Sequence, residues 1–573
     1  MKMKLNNLRI NLKSMSKFIA LLSFLISYQI SFSQNFQWAH KIGGHWGDEG
    51  TDIVSDADGN VYTTGNFQGT IDFDPGVGES ILASAGNTDV YITKFDAYGN
   101  FLWARSMGGA SIFGDRGISI AIDANKNVFV SGSFFGTTDF DPGTNIYNLT
   151  SSGNEDVFIA KLDASGNFVW AKSIGGTQTD AIATIVIDKA GNLYATGSFS
   201  DVVDFNPSTD TFFVTSNGFN SIFILKLSSA GNFIWVKSFG EDYSQSVGEL
   251  AMDASSNIYL CGSYYGTVDF NPGAATNSLT AISDDFFILK LDASGNFIWV
   301  KGIEGDNYGS ASALAVDAAG NIHMTGCFFG TFDFDPGAAK QQLTSNGLDV
   351  FILKLNSSGN YVWARKVGNN GVDIGNGIAL DQAGNVYTTG YFNNRVDFDP
   401  GAGVTNISSA GATDIFILKL NSAGLFDWAV RMGGKGYDKG TSVSVDISGD
   451  VYSTGDFEGK ADFDPGTGND TLESDNIDAF ISKLSVSKTG VNADMNSSTL
   501  YVFPNPANDF VVITNSSFTN LKYTIIDAYG KEVLYGNLET RETKIDIHEL
   551  NKGIYFVRLG EYDSKVLKFV KVE

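Results

Sequence analysis

The sequence predicts an all-β protein made of repeated four-stranded units and ending in a smaller β domain. A tryptophan-containing element recurs seven times, at spacings of 64 to 67 residues. Apolar stretches of strand length alternate with Gly, Asn and Asp, and no stretch shows a convincing 3.6-residue period of an amphipathic helix. The 65 glycines among 573 residues are the number expected of a chain that turns very often.

The first element in order, residues 1–33, is predicted to be a secretory signal peptide. Five cations and no acid lie in residues 1–17, and the apolar run FIALLSFLISY and a small-residue pattern follow before Gln34. The run is too short to span a bilayer comfortably, and no later stretch approaches 18 apolar residues, so we expect no transmembrane segment after signal removal. Met15 is an alternative start, since it opens a complete signal by itself, and an uncleaved anchor is the other interpretation.

Residues 34–487 contain the seven repeats. Each repeat has four strand-like segments, here named a, b, c and d; one set reads GISIAID, NVFVSGSF, DVFIAKLD and FVWAKSI. Short links of the DAxGN type join a to b and c to d, as expected of hairpin turns. The region begins with a lone d segment (residues 36–44) and ends after a c segment. We therefore predict a seven-bladed β-propeller of four-stranded blades whose ring is closed by the N-terminal strand.

The segment GNVYTTG, at residues 59–65 and 384–390, marks a family resemblance. It resembles the core of the bacterial β-propeller repeats known as SBBP repeats, and the resemblance covers about residues 35–487. Such a resemblance implies the fold but little about function, because propellers host many unrelated functions.

Composition excludes several classes of function. The chain has 64 acidic and 38 basic residues and a net charge of −26, which argues against binding to nucleic acid or anionic lipid. Removing residues 1–33 takes the charge to −31 because five cations are lost. Two cysteines exclude a disulfide scaffold, and the four histidines show no spacing typical of a zinc site.

Each repeat carries an acidic TxDFDPG-like element in the link between b and c, which we expect to be a loop of roughly 20 residues on the same face as the d-to-a links. Carboxylates at i and i+2 beside a Pro-Gly turn are candidate Ca²⁺ ligands, but they are also suited to cap the turn or to pair with Lys. We favour capping, because no single loop offers six to eight oxygen ligands. The candidate metal ligands are Asp72, Asp74, Asp139, Asp141, Asp333, Asp335, Asp397, Asp399, Asp462 and Asp464, and two repeats have Asp204 with Asn206 and Asp269 with Asn271.

Two departures from the repeat pattern are candidates for ligand binding. His45 and Trp46 lie in the first d-to-a link, and Trp46 is the one tryptophan of eight outside the repeat series. An exposed Trp there is suited to stack on a sugar ring, whereas the alternative is that it packs the loop. A Lys inside each c segment, such as Lys161, is predicted to pair with an Asp of the DFDPG loop or of the a strand.

The C-terminal region is predicted to be a linker (488–498) followed by a small β-sandwich (499–573). It contains Phe503, Pro504, Asn505 and Pro506, then IIDAYGKEV, then a segment with Gly553 and Tyr555, and a basic last strand. These motifs resemble the type A C-terminal sorting domain of the type IX secretion system of Bacteroidota. The resemblance implies export across the outer membrane by that machinery, frequent proteolytic removal of the module, and a mature protein that is lipopolysaccharide-anchored or released. An Ig-like adhesion module is the alternative.

The sequence offers no candidate catalytic residue and no cofactor other than Ca²⁺. We therefore expect a secreted or cell-surface binding or adhesion protein whose candidate ligand is a glycan or another protein. We expect it to be monomeric. An extracellular polysaccharide hydrolase or lyase on the same scaffold, and a purely structural surface protein, are the alternatives.

Overall fold

The computed structural model describes residues 34–240, 245–486, 500–503, 507–515, 521–527, 531–538, 542–559 and 565–572. Every regular element in these ranges is a β-strand, which confirms the all-β class. The chain divides into two compact units, Met1–Lys488 and Thr489–Glu573. The predicted signal peptide (1–33) and linker (488–498) lie outside the described residues.

The first unit begins with β1 (Gln34–Ile42) and continues through antiparallel groups of strands that follow the predicted repeats. Repeats 1 to 4 contain β2 (Glu49–Ser55), β3 (Val61–Asp72), β4 (Ile81–Phe95), β5 (Phe101–Gly109), β6 (Arg116–Ile122), β7 (Val128–Asp139), β8 (Asn148–Leu162), β9 (Phe168–Gly176), β10 (Ala181–Ile187), β11 (Leu193–Phe199), β12 (Val202–Asp204), β13 (Phe213–Thr215), β14 (Ser221–Leu227), β15 (Phe233–Phe239), β16 (Gln245–Met252), β17 (Ile258–Asp269), β18 (Ser278–Leu291) and β19 (Phe297–Gly305).

Repeats 5 to 7 have the same order. They contain β20 (Gly309–Val316), β21 (Ile322–Asp333), β22 (Gln342–Leu355), β23 (Tyr361–Val367), β24 (Ile374–Leu380), β25 (Val386–Phe392), β26 (Arg395–Asp397), β27 (Asn406–Ser408), β28 (Asp414–Leu420), β29 (Phe426–Gly434), β30 (Lys439–Val445), β31 (Val451–Asp462) and β32 (Thr471–Val486).

The pairing in repeat 2 is representative of the register. Strand β7 pairs with β6 on one side and with β8 on the other, so that Val128 lies opposite both Ile122 and Leu162. These apolar residues favour strands because they fit a pleated, buried surface. A register shift between Gly117 and Ser119 bends the first strand, and a similar shift recurs in the first strand of every repeat.

The prediction of a 20-residue loop between strands b and c is wrong. In repeat 2 the two strands continue past a register shift as a paired hairpin, and only residues 140–147 form its tip. The hairpin extension also pairs with the end of the preceding d strand, where Gly108 lies opposite Asp139. Alternating polar residues hid this extension, because they are compatible with both a loop and an exposed strand.

Strand β1 pairs antiparallel with β32, and Ala39 lies opposite Ser482. The first strand of the described chain is therefore the fourth strand of the last repeat. No sheet closes on itself, and the seven-bladed ring stays a prediction.

The hydrophobic core lies between neighbouring repeats. One cluster combines Val90 and Met107 of repeat 1 with Val130 and Phe158 of repeat 2. Another combines Ile42 of β1 with Ile53 of repeat 1 and Ile481 of repeat 7. Each sheet thus buries its apolar faces against the sheets on either side, which is the condition for stable packing of layers.

The second unit contains two sheets with one shared core. The strands are β33 (Leu500–Phe503), β34 (Phe510–Asn515) and β37 (Glu542–Asp546) in one sheet, and β36 (Glu532–Leu538), β35 (Leu521–Asp527), β38 (Gly553–Leu559) and β39 (Lys565–Lys571) in the other. Val511 and Ile545 of the first sheet cluster with Ile525 and Val557 of the second.

The predicted sorting motif is divided by the limits of the described residues. Pro504, Asn505 and Pro506 lie outside them. Gly553 opens β38, and the hydroxyl of buried Tyr555 donates a hydrogen bond to the carbonyl of Asn551 at 2.8 Å. Tyr555 therefore fixes the turn that precedes its own strand.

Candidate functional site

The links between consecutive repeats and the adjoining parts of the b and c strands lie together, and we call this surface the loop face. Its first link, residues 43–48, contacts the last repeat, since the Asp48 N–H donates to the carbonyl of Ile477 at 2.8 Å. The short a-to-b and c-to-d turns form the opposite turn face, where Lys126 of one repeat contacts Asp56 of the repeat before it at 3.2 Å.

The two predicted ligand-binding residues lie on the loop face. The His45 Nδ1 atom is 2.7 Å from Asp475 Oδ2, and both side chains are exposed. Trp46 is 57% exposed. One side of its indole packs on Gly69, where an added Cβ would lie 3.0 Å from Trp46 Cδ1. The remaining indole surface is open to solvent, and ligand binding by these residues stays a prediction.

Further exposed aromatic residues lie in other links of the same face. Phe113 is 65% exposed and its ring centroid lies 5.3 Å from that of Phe135. Tyr308 and Tyr437 are also exposed. None of the three was a candidate from the sequence, because Phe and Tyr are common in this chain (44 and 22 residues), whereas Trp46 is the one Trp outside the repeat series. Together they make the loop face rich in aromatic surface.

The acidic DFDPG elements form capped turns at the hairpin tips. Asp139 Oδ1 accepts the N–H groups of Asp141 at 3.1 Å and Tyr147 at 2.8 Å, and Asp141 Oδ1 accepts Gly143 N–H at 2.8 Å. The same bonds recur at Asp72, Asp74, Asp333, Asp335, Asp397, Asp399, Asp462 and Asp464. These bonds support the capping interpretation. Across the described residues, no group of three His, Cys, Asp or Glu is placed to hold a metal ion, and calcium binding stays a prediction.

The lysines of the c strands join neighbouring repeats. Lys161 Nζ lies 3.8 Å from Asp123 Oδ2 and 4.7 Å from the Phe129 ring centroid, and it donates to the carbonyl of Ser229 in the next repeat at 3.3 Å. This confirms pairing with the Asp that ends the a strand rather than with the DFDPG loop. Corresponding bonds run from Lys94, Lys226, Lys290, Lys354 and Lys483 to the turn of the following repeat.

A buried Asp in the links is a structural residue that sequence analysis did not assign. Asp115 is fully buried; its Oδ2 accepts Gly109 N–H at 2.8 Å and its Oδ1 accepts Phe135 N–H at 3.2 Å. It thus ties the end of one repeat's d strand to the b strand of the next. Equivalent pairs of bonds are made by Asp48, Asp180, Asp373 and Asp438.

Each such link Asp interacts with a second buried Asp, from the c strand of the preceding repeat. Burial, opposed by backbone hydrogen bonds and reinforced by the neighbouring carboxylate, raises the pKa of Asp48 and Asp89 to about 7. Burial also raises the pKa of Asp115 to about 6. Gly108 is required beside Asp89, since a Cβ there would overlap the carboxyl group.

These carboxyl groups predict that stability falls as pH rises from 5.5 to 8. Their folded-state pKa values lie above the unfolded value near 4, so the folded chain binds protons more tightly and loses stability as pH rises through the folded pKa. Urea denaturation at constant ionic strength should therefore give a higher midpoint at pH 5.5. Asp89→Asn should reduce the difference between the two pH values, and a midpoint that is higher at pH 8 would contradict the prediction.

A central cavity of about 390 Å³ is lined by the first strands of all seven repeats. Asp52 and Glu249 are the acidic residues among the residues that line it. Neither residue was a candidate from the sequence. The available signal was that both occupy a position where the other repeats have small or uncharged residues.

The described residues include no helix of the length and apolarity needed to cross a bilayer.

Comparison with known families identifies two regions. Residues 501–573 match the secretion system C-terminal sorting domain, and residues 362–394 match the SBBP β-propeller repeat. Both predicted resemblances are confirmed. The chain carries a type IX sorting domain, which indicates export to the cell surface or the extracellular space.

Curated relatives resemble the chain at low identity. An uncharacterised WD repeat-containing protein of Acanthamoeba polyphaga mimivirus is 24% identical over 514 residues, covering 75% of this chain and 36% of the relative. The regulatory protein FlaEY of Caulobacter vibrioides is 24% identical over 425 residues, covering 69% of this chain and 41% of the relative. The chain thus spans well under two thirds of either relative.

Solved structures give only distant likenesses. PorZ, a surface component of the type IX secretion system of Porphyromonas gingivalis, is 12% identical with a TM-score of 0.18, covering 93% of this chain and all of PorZ. A fungal alcohol oxidase of the AA5 family is 11% identical with a TM-score of 0.27, covering 79% of this chain and 96% of the oxidase. The fold described above rests on strand pairing and not on these likenesses.

Proposed function

We propose that residues 34–487 form a closed seven-bladed β-propeller that is exported through the C-terminal sorting domain and binds a glycan with its loop face. The observation that carries the binding proposal is the exposed aromatic surface at Trp46, Phe113, Tyr308 and Tyr437 in four separate links. Aromatic rings that are held by a rigid scaffold and open to solvent are suited to stack on the apolar face of a sugar.

Contacts between the first and last repeats support the ring. Thr441 Oγ1 donates to the carbonyl of Gly50 at 2.7 Å, and the hydroxyl oxygens of Ser55 and Ser444 are 2.9 Å apart although 389 residues separate them in sequence. Radial closure also gives the inner strands neighbours on both sides. Cleavage of the sorting domain and attachment to lipopolysaccharide remain proposals that rest on the family resemblance.

The ring is tested by a double cysteine variant, Ser55→Cys with Ser444→Cys. Oxidation should close a very long covalent loop and speed migration on a non-reducing gel. The control variant, Ser55→Cys with Ser312→Cys, places one cysteine in repeat 1 and the other in repeat 5. These two cysteines should not cross-link. Failure of the first pair to cross-link, or equal cross-linking of both pairs, would contradict the closed ring.

Glycan binding is tested with the full chain on a glycan array. We expect signals that Trp46→Ala or Tyr437→Ala lowers at least about tenfold, because each removes stacking worth on the order of 1 kcal/mol or more in a multivalent format. Tyr98→Ala is the matched control, since Tyr98 is an exposed aromatic residue on the turn face. An array without signal, or an equal loss with Tyr98→Ala, would contradict the proposal.

Calcium at the hairpin tips is proposed separately and is expected to act on stability. If Ca²⁺ binds there, millimolar CaCl₂ should raise the melting temperature of the full chain and a chelator should reverse the rise. Asp141→Asn should weaken the response, whereas Asp58→Asn, on the turn face, should leave it unchanged. A melting temperature that is independent of Ca²⁺ would contradict calcium binding at the hairpin tips.

A further inference from the structure

The central cavity has both polar, partly acidic lining and aliphatic lining. Its polar lining includes Asp52, Ser119, Glu249, Asn376 and Ser442. Its aliphatic lining includes the half-buried side chains Val54, Ile118, Ala121 and Val186. Ligand pockets commonly have this combination of apolar surface with a few placed polar groups, and its volume falls within their usual range.

Asp52 contributes a fixed acidic group whose oxygens are already bonded. Its Oδ1 accepts the Ile53 N–H and the Ser442 hydroxyl, both at 2.8 Å. Its Oδ2 accepts the Ile120 N–H at 2.9 Å and the Ser119 hydroxyl at 3.0 Å. Asp52 therefore serves to join three repeats, and it adds negative potential to the cavity without an oxygen free for a ligand.

Glu249 differs from Asp52 in this respect. Its Oε2 accepts the Leu314 N–H of the next repeat at 2.8 Å, and no described residue donates a hydrogen bond to its Oε1. Glu249 is half-buried and lines the cavity.

The internal repeats show that the fold does not require an acid at this position. The corresponding residues of repeats 5 and 6 are Ala313 and Gly377, each two positions after the residue where the register shifts. Their strands keep the same pairing without a carboxylate. Asp52 of repeat 1 is the other acid at this position, and both acids accept a backbone N–H of the next repeat. Glu249 differs from Asp52 in that no described residue donates to its second oxygen, which favours a role toward a ligand.

We propose that the central cavity binds a small organic cation, with its ammonium group at Glu249 and its alkyl part against the aliphatic side chains of the lining. In their ionised forms the two acidic residues supply the complementary charge. A bare metal ion fits less well, because Ca²⁺ takes six to eight oxygen ligands and no group of three His, Cys, Asp or Glu in the described residues is placed to hold one. This site is independent of the proposed loop-face ligand.

The test compares choline with its uncharged isostere 3,3-dimethyl-1-butanol, using calorimetric titration of the full chain at pH 9, above the pKa of Glu249. We expect choline to bind, and the alcohol to bind at least about tenfold more weakly. Glu249→Gln should lower the affinity for choline at least about tenfold, while its amide oxygen keeps the bond from Leu314. Glu304→Gln removes the same charge from an exposed site and should leave the affinity unchanged.

A second variant and a pH series keep the proposal falsifiable if Glu249→Gln perturbs folding. Ser312→Leu reduces the cavity without changing its charge and should also weaken choline binding. Burial, with Asp52 nearby, raises the pKa of Glu249 to about 8, and the Cys261 thiol beside it stays protonated because burial raises its pKa too. The affinity for choline, whose charge is constant, should therefore rise between pH 6.5 and 9.

Three results would overturn the proposal. The first is equal affinity for choline and the alcohol, which would indicate a purely apolar site. The second is an affinity that Glu249→Gln and Ser312→Leu both leave unchanged, which would place choline elsewhere. The third is Ca²⁺ displacing choline at equal concentration, which would indicate a metal site. If loop-face variants lose glycan binding but still bind choline, the result supports a cation site in the cavity that is separate from the glycan site.

Discussion

Gly197→Ala is expected to destabilise the protein by about 3 kcal/mol or more, enough to unfold a marginally stable domain. A Cβ at Gly197 would overlap the carbonyl oxygen of Ala181 and would lie 2.8 Å from a ring carbon of Phe223. The carbonyl belongs to the backbone of the paired strand, so no change of rotamer relieves the overlap. Chemical denaturation of the full chain measures the loss.

The same constraint explains the last glycine of the repeated GNVYTTG-like segment. A register shift in each first strand brings a backbone carbonyl toward the second strand, where only a residue without a side chain fits. The equivalent residues are Gly65, Gly132, Gly262, Gly326, Gly390 and Gly455.

Gly47→Ala is the matched control for this prediction. Gly47 lies in the first link, and a Cβ there would meet no atom within 4 Å. We expect a change of less than about 0.5 kcal/mol, as for most surface substitutions. Equal losses for Gly47→Ala and Gly197→Ala would contradict the steric explanation.

Lys161→Met is expected to cost about 2 kcal/mol. The substitution keeps much of the apolar stem but removes the ammonium group, which leaves the half-buried Asp123 carboxylate and the Ser229 carbonyl without one partner each. The cost is less than that of a fully isolated buried charge, because Asp123 Oδ1 still accepts the N–H groups of Asn125 and Asn127.

Lys189→Met controls for the loss of a positive charge. Lys189 is exposed in the a-to-b turn of the following repeat, and we expect its substitution to leave stability within about 0.5 kcal/mol of the unchanged protein. Denaturation midpoints should therefore separate the two variants. An unchanged midpoint for Lys161→Met would show that the link between repeats contributes nothing to stability.

Local patterns made much of the fold predictable. Strand segments, turn residues and the repeat length are properties of neighbouring residues, and the Asp–Asn turns at Asp123 and Asn127 formed as expected. The hairpin extension was not predictable in the same way, because the strand at Asp139 is stabilised by pairing with Gly108 of the preceding repeat. Its local sequence alone fits a loop equally well.

In the candidate site too, some residues were predictable from local sequence and others only from contacts between repeats. Trp46 was found because it is a rare residue type outside the repeat series. Glu249 was missed because an acid in a strand of a strongly acidic chain is not unusual, and its cavity exists only once the first strands of all repeats are brought together.

The sequence by itself determined the all-β class, the repeat pattern, the export route and the residue types of the turns, since each is encoded by residues close together in the chain. Only the tertiary structure decided which of the many acidic residues are buried between repeats and which cap exposed turns. Asp115 and Asp141 are both acids of short connecting segments that recur in other repeats, yet Asp115 is fully buried between repeats whereas Asp141 caps a partly exposed turn. Burial, charge coupling and cavity shape depend on neighbours contributed by other repeats, and no local pattern specifies them.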